Sequence, residues 1–257
     1  MSIYQHFRQE EHDFIDQVLE WKDTVMEQYA PKLTDFLDPR EQDIVKSVVG
    51  NNDEVKLAFH GGAEGAERKR ALLYPPYIQP TIDDFQLKPF KLSYPDKFVQ
   101  IEHRQVLGSL MGIGLKRSKF GDIYFHDKHV QLVLGSEVSS FVELQLQEVG
   151  RVKVTLSEMP LNDLYAAETS WEEKSTTAAS LRLDVMIASI YNLSRQKAQL
   201  LIDGKKVKVN WKLVEQTAFE CQEGDILSVR GFGRSKLLTL DGKTKKDKWR
   251  IIVGKQK

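Results

Sequence analysis

The sequence predicts an α+β protein of three consecutive segments. Residues 1–80 read as mainly helical, 81–158 as a β-α-β-β-α-β unit, and 181–257, after a polar linker at 159–180, as a small basic α/β domain. Three observations carry this. Apolar residues recur at three and four positions through much of 1–80. Between 83 and 158 the pattern switches repeatedly between a period of two and a helical period. Charge is unevenly divided: residues 181–257 hold 17 Lys/Arg against 8 Asp/Glu, a net +9 balanced by −9 in the rest of a neutral chain.

In the first segment, Phe14, Ile15, Val18, Leu19 and Val25 form an apolar stripe on a helix from about Glu10 to Tyr29, which Pro31 ends. Asp38-Pro39 starts a second helix, with proline at the favoured first position and Ile44, Val45, Val48 and Val49 along one face. Val55–Phe59 is expected as one short strand before the Gly61-Gly62 turn.

In the second segment, Phe90–Tyr94 is a candidate strand, and Arg104–Met111 a helix that stops at Gly112 and Gly114. Asp122–Phe125 and His129–Leu134, split by a short polar turn, read as a hairpin. Val138–Val149 is expected as a helix and Val152–Leu156 as the closing strand. That order is the ferredoxin-like split unit, which also underlies RNA-recognition-motif (RRM-like) domains. Thr169, Ser170, Ser175, Thr176, Thr177 and Ser180 make the stretch that follows polar, hence a linker.

The third segment opens with a short helical pattern at Arg182-Leu183-Asp184, restarts at Ser194-Arg195, and runs through Ala198, Leu201 and Ile202 to Gly204. Val207 and Val209 alternate like a strand, and Glu223-Gly224-Asp225 turns the chain into a second, Ile226–Val229. Ser194 stands where a helix cap belongs, which places Arg195 and Lys197 in the first helical turn. Cations there oppose the helix dipole by about 0.3–1 kcal/mol each. That cost makes sense where exposed N–H groups and both cations converge on a phosphate; the alternative is side chains bent into water. Lys205, Lys206 and Lys208 follow the helix, where cations are favoured anyway. Arg230 and Arg234 sit among glycines that allow close approach, and arginine forks onto phosphate. Lys243, Lys245, Lys246, Lys248 and Arg250 are expected as a mobile or hairpin-borne basic extension. Elsewhere, Arg68, Lys69 and Arg70 form a candidate second RNA patch, and Lys116, Arg117 and Lys119 a third; each is equally a solvated loop. A basic block supplies sequence-independent attraction to phosphate.

Composition bounds the alternatives. A chain of 257 residues has enough core to fold without staples. Its single cysteine, Cys221, allows no internal disulfide and suits a reducing cytoplasm. No run of eighteen apolar residues could span a membrane, and the polar first turns lack the apolar core of a signal peptide. Enzymatic readings fail on chemistry. His126-Asp127-Lys128-His129 lies at a hairpin turn rather than on a metal-binding helix face, and Gly61–Gly65 lacks the Gly-Lys-Ser/Thr ending of a phosphate loop. Cys221 has no nearby histidine. No cofactor is expected.

The ordered run Arg-Leu-Asp, Ser-Arg, Gly, Val-x-Val-Asn, Gly-Asp, Val-Arg-Gly resembles the alpha-L RNA-binding motif, the S-four domain shared by many translation and RNA-modification proteins. The resemblance implies that Arg182 lies close to the start of the second helix and that Asp184 orients an arginine or caps backbone. Trp211 departs from the motif, which usually has glycine after the asparagine; it is either a packed turn residue or a surface on which a base stacks. Across the whole chain, three runs resemble the bacterial YlmH family. These are Gly61-Gly62 followed by Glu67-Arg68-Lys69-Arg70-Ala71-Leu72-Leu73-Tyr74-Pro75, then His103-Arg104-Gln105-Val106-Leu107-Gly108-Ser109-Leu110-Met111-Gly112-Ile113, then Arg117-Ser118-Lys119-Phe120-Gly121-Asp122-Ile123. That family is encoded beside cell-division genes and is implicated in rescue and quality control of stalled nascent chains; related S-four proteins bind large ribosomal subunits carrying stranded tRNA. The resemblance implies a non-enzymatic RNA-binding protein, monomeric when free. Its partners would be ribosomal RNA of the large subunit, tRNA and ribosome-rescue factors. The alternatives are an RNA-modifying enzyme of the pseudouridine-synthase type and a cell-division scaffold. Against the enzyme, Arg182-Leu183-Asp184 continues as Val-Met-Ile rather than Thr-Ser-Gly.

Overall fold

Proline and aspartate punctuate the first helices as the sequence predicts. In the computed structural model, which describes residues 3–7, 9–50, 53–166 and 171–256, helix α1 spans His12–Gln28 and buries Ile15, Val18 and Val25. It stops at Tyr29, left-handed at φ 53°, before Pro31. After strand β1 (Lys32–Leu37), Asp38 opens α2 (Pro39–Val49) with a capping box: its carboxylate accepts from Glu41 N–H at 2.9 Å, and Asp38 N–H donates to the Glu41 carboxylate. Strands β2 (Lys56–His60) and β3 (Lys69–Tyr74) complete an antiparallel sheet of order β1-β3-β2. The segment is therefore a helix-and-sheet layer, not mainly helical. Central β3 is buried on both faces, so it shows no alternation for a period-two reading to find.

The next elements are β4 (Leu87–Ser93), α3 (His103–Gly112), β5 (Phe120–His126), β6 (His129–Gly135), α4 (Ser136–Gln145), β7 (Glu148–Val149), β8 (Val152–Lys153) and β9 (Thr155–Glu158). Strands β5-β6-β4-β9 form one antiparallel sheet in that order. Phe90, Leu92, Val130, Leu132 and Leu134 on one sheet face meet Val106 and Leu110 of α3 and Val142 of α4. Helix α4 ends four residues before the sequence suggests. Val149 is instead in β7, and a turn at Gly150 (φ 66°) pairs β7 with β8.

The sheet's other face is covered. Tyr124 and Val133 pack there with Phe36 of β1, Ala63, Leu87, Leu164 and Tyr165. Gln131, itself buried, donates to the Asp163 carbonyl at 3.0 Å and accepts from Tyr165 N–H at 2.8 Å, which straps the following segment across the sheet. Asp122 accepts from the N–H groups of Glu67 (2.6 Å) and Arg68 (3.3 Å). The segments expected as 1–80 and 81–158 are thus parts of one unit, residues 1–168.

The second unit, residues 169–257, is an open antiparallel sheet with two helices. Its elements are β10 (Trp171–Ala178), α5 (Leu183–Tyr191), α6 (Arg195–Asp203), β11 (Val207–Val209), β12 (Lys212–Leu213), β13 (Ile226–Val229), β14 (Gly233–Lys243) and β15 (Trp249–Gln256). The sheet order is β10-β15-β14-β13-β11-β12. Residues 171–178, expected in a linker, pair with β15 at every position. Their Thr- and Ser-rich composition reflects a half-solvated edge strand rather than a tether. Thr169 and Ser170 lie outside the described residues. Ala178, Leu183, Met186, Ile187, Ala198, Ile202, Val207, Leu227, Leu237, Ile251 and Val253 build the core between sheet and helices. The basic extension is the β14–β15 hairpin, whose tip is ordered by the Thr244 hydroxyl accepting from Lys246 N–H (3.3 Å) and Lys248 N–H (3.1 Å). No helix among the described residues is long and apolar enough to cross a membrane.

Candidate nucleic-acid interface

Asp184, on the first turn of α5, is fully buried, and three side chains converge on it. Arg182 donates from Nε at 3.2 Å and Nη2 at 3.3 Å, Arg195 from Nε at 2.8 Å, and Gln199 from Nε2 at 2.9 Å; Val185 N–H adds a fourth donor at 3.0 Å. Burial alone would raise this carboxyl's pKa, but the bonds from Arg182, Gln199 and Arg195 overcome that and hold it down at about 2. The Arg182 and Arg195 side chains remain 38% and 54% exposed. One buried anion therefore pins two arginines whose outer N–H groups still reach the surface.

Ser194 caps α6 as expected, its hydroxyl accepting from Lys197 N–H at 3.2 Å. Arg195 and Lys197 stand exposed in the first turn. Lys197 Nζ lies 5.8 Å from the Phe232 ring, and Phe232 packs on Tyr191 at 5.7 Å. This fixes the β13–β14 turn beside the helix start. Arg182, Ser194, Arg195 and Lys197 are thus brought together, at a helix end whose first N–H groups have no partner within the helix. Such an arrangement suits a phosphate oxygen.

The other predicted cations spread around this core. Lys205 pairs with Glu215 at 3.3 Å. Lys206 and Arg230 are exposed, and their backbones meet, Arg230 N–H donating to the Lys206 carbonyl at 2.9 Å. Arg230 sits in a turn that needs Gly231 at φ 88° and Gly233 at φ 91°. Lys208 and Arg234 lie on the sheet, Arg234 with its Cζ 5.8 Å from the Trp211 ring. The sequence reading missed Gln199 and Phe232. Gln199 falls four residues after Arg195, on the same helix face, a spacing that could have flagged it; no local signal marks Phe232.

The two patches expected in the first unit are mostly structural. Arg70, 5% exposed on β3, donates to the carbonyls of Thr34 (2.7 Å) and Gln86 (3.3 Å) and to Glu137 (3.1 Å). Arg68 donates to the Phe36 carbonyl at 2.8 Å, and Lys69 is half-buried at the strand's start. Arg117 donates to the carbonyls of Phe120 (2.7 Å) and Gly121 (3.0 Å), while Lys119 bridges Asp35 (2.6 Å) and Glu137 (3.5 Å). Of these cations Arg70 and Lys119 join the N-terminal layer to the middle sheet, and of the six only Lys116 is exposed. The acids that hold them lie 18 to 84 residues away, beyond any local motif. Cys221 is buried, which pushes its thiol up to about 12, and so remains protonated.

Three family models match the chain in order. Residues 10–78 match the family model "YlmH, N-terminal", residues 80–163 "Putative RNA-binding domain in YlmH", and residues 181–227 "S4 domain". The chain is 53% identical over 256 residues to Ribosome-associated protein quality control protein P2 of Bacillus subtilis (strain 168), covering 100% of this chain and 99% of that protein. Among solved structures it is similar to the cell division protein ylmH from Streptococcus pneumoniae. The TM-score is 0.56 at 29% identity, over 63% of this chain and 98% of that one. A relative this similar over its full length, with three family models in chain order, shows that the chain belongs to the YlmH family and carries an S4 domain.

Proposed function

We propose that this chain binds ribosomal RNA of the large subunit through the Asp184-organised face of its second unit and works in quality control of stalled nascent chains without catalysing a reaction. The observation that carries this reading is Asp184 itself: a buried carboxylate holding Arg182 and Arg195 beside the capped, cation-bearing start of α6. The cellular process is supported by the name of the Bacillus subtilis relative. Mechanistically the role is placement. The two arginines and Lys197 grip phosphate, and a bound tRNA is held while a rescue partner acts on the nascent chain; these partners meet in the cytoplasm.

The sheet order β5-β6-β4-β9 supports a ferredoxin-like reading of the middle segment, because it is the order a split β-α-β-β-α-β unit gives. Base stacking across that sheet in the RRM manner is disfavoured, since Phe36, Leu164 and Tyr165 already cover the face it would use. A pseudouridine-synthase role is disfavoured by the same Asp184: a fully buried carboxylate under two guanidiniums has no path to a base. Crosslinking of bound RNA in cells tests the proposal. Reads on large-subunit rRNA and tRNA that vanish in Arg195→Glu/Lys197→Glu support it. Scattered mRNA reads, or none above background, overturn it and shift weight to a cell-division scaffold.

A further inference from the structure

We infer that Trp211 is a stacking platform for an unpaired RNA base, set on the sheet face opposite the helices; this rests on the RNA-binding reading above. Residues Asn210 and Trp211 form a two-residue hairpin loop between β11 and β12, since Val209 pairs with Lys212. Both are left-handed, at φ 48° and φ 62°. This is the conformation a tight hairpin demands, and it favours Asn followed by Gly. Asn210 meets the demand well. Its carboxamide donates to Asp225 at 2.8 Å and accepts from Ile226 N–H at 2.9 Å, and its own N–H donates to the Ile226 carbonyl at 2.9 Å. The clamp on Asn210 leaves residue 211 a left-handed position that a bulky aromatic residue adopts only at a conformational cost. A glycine would suit the backbone of the turn better, so the geometry of the turn does not itself select a tryptophan there.

Its surroundings suit a nucleotide. Lys208 pairs with Ser228, and Ser228 with Arg234, so all three point to one face of the sheet. Lys236 follows on that face two residues after Arg234. The intervening residues Val207, Val209, Leu227, Val229 and Leu237 are buried on the other face, against the helices. Arg234 lies against the part-exposed indole, its Cζ 5.8 Å from the ring centroid. An aromatic ring with Arg234 against it therefore borders a sheet face that also carries Lys208 and Lys236, a combination that can take up a single-stranded nucleotide by stacking with phosphate attraction. Duplex RNA offers no free base face there, which fixes the occupant as an unpaired nucleotide.

The test compares the full-length chain with Trp211→Gly, using a short two-stranded RNA duplex with a single-stranded adenosine tail and the same duplex blunt-ended, so that the control has no unpaired nucleotide. Stacking predicts that Trp211→Gly binds the tailed RNA about tenfold more weakly, binds the blunt one like wild type, and melts no lower than wild type. Trp211→Phe should keep most of the preference for the tail. Trp211→Asn, which also tolerates the left-handed region, should behave like the glycine variant. A glycine variant that melts several degrees lower, or fails to fold, while Trp211→Asn keeps wild-type affinity for both RNAs, overturns the proposal in favour of a packing residue. Equal affinity of the wild type for tailed and blunt RNA also overturns it. Loss of binding to both RNAs on Arg195→Glu/Lys197→Glu, with no effect of residue 211, defeats the stacking proposal and leaves the wider RNA reading intact. A wild type that binds neither RNA defeats both.

Discussion

At the scale of single residues, the second unit turns on one carboxylate. Asp184 holds two otherwise flexible arginines in place, so under the proposed function less side-chain entropy would be lost on binding a phosphate. Because its pKa is held at about 2, below the usual 3.8, it stabilises the folded state above pH about 4, and that contribution is lost as pH falls through 2. Acid unfolding of Asp184→Asn should therefore lack the part of the wild-type transition in that window. At neutral pH the variant should be about 2–3 kcal/mol less stable by denaturant titration, less than a fully buried ion pair would cost because both guanidiniums reach solvent. Ser194→Ala removes the cap of a nine-residue helix and should cost about 1 kcal/mol, with a matching loss of RNA affinity as the first turn frays.

At the scale of elements, Arg70 separates structural from functional cations. Arg70→Ala removes a buried guanidinium from Glu137 and two carbonyls, and should destabilise the first unit by about 3–5 kcal/mol by thermal or chemical melting. RNA affinity measured on the surviving folded fraction should not change. The sequence could not separate these roles. Helices α1 and α2 were legible because apolar stripes and the Asp38-Pro39 start are local signals, and the S-four helices were legible for the same reason. Strands β1 and β3 were hidden, since Lys32 and Lys69-Arg70 disguise short strands whose partners lie far along the chain. Likewise the position of Arg195 and Lys197 in the first turn of α6 was legible because a helix start is a local pattern. Arg68, Arg70 and Lys119 were misread because a lysine in a loop and a lysine bonded to Asp35 look identical in one dimension. The covered sheet face was beyond reach for the same reason: Phe36 and Tyr165, which hide it, belong to segments read as a different domain and a linker.

At the scale of the whole molecule, the net +9 of residues 181–257 against −9 elsewhere concentrates the attraction for polyanions in the C-terminal part of the chain. Binding should therefore weaken steeply with salt. Replacing Arg195 and Lys197 with alanine should reduce the slope of log affinity against log salt by about 1.5, as expected for two lost phosphate contacts. The S4 match covers residues 181–227, which carry 7 Lys/Arg against 6 Asp/Glu, so most of that charge, 10 Lys/Arg against 2 Asp/Glu, lies in residues 228–257 on and around the β14–β15 hairpin. The most direct test of the account is sedimentation of the purified chain with purified large ribosomal subunits, wild type beside Arg195→Glu/Lys197→Glu, with melting of both checked first. The account predicts that wild type pellets with the subunits, while the variant, equally folded, stays in the supernatant. A variant that pellets like wild type would contradict it.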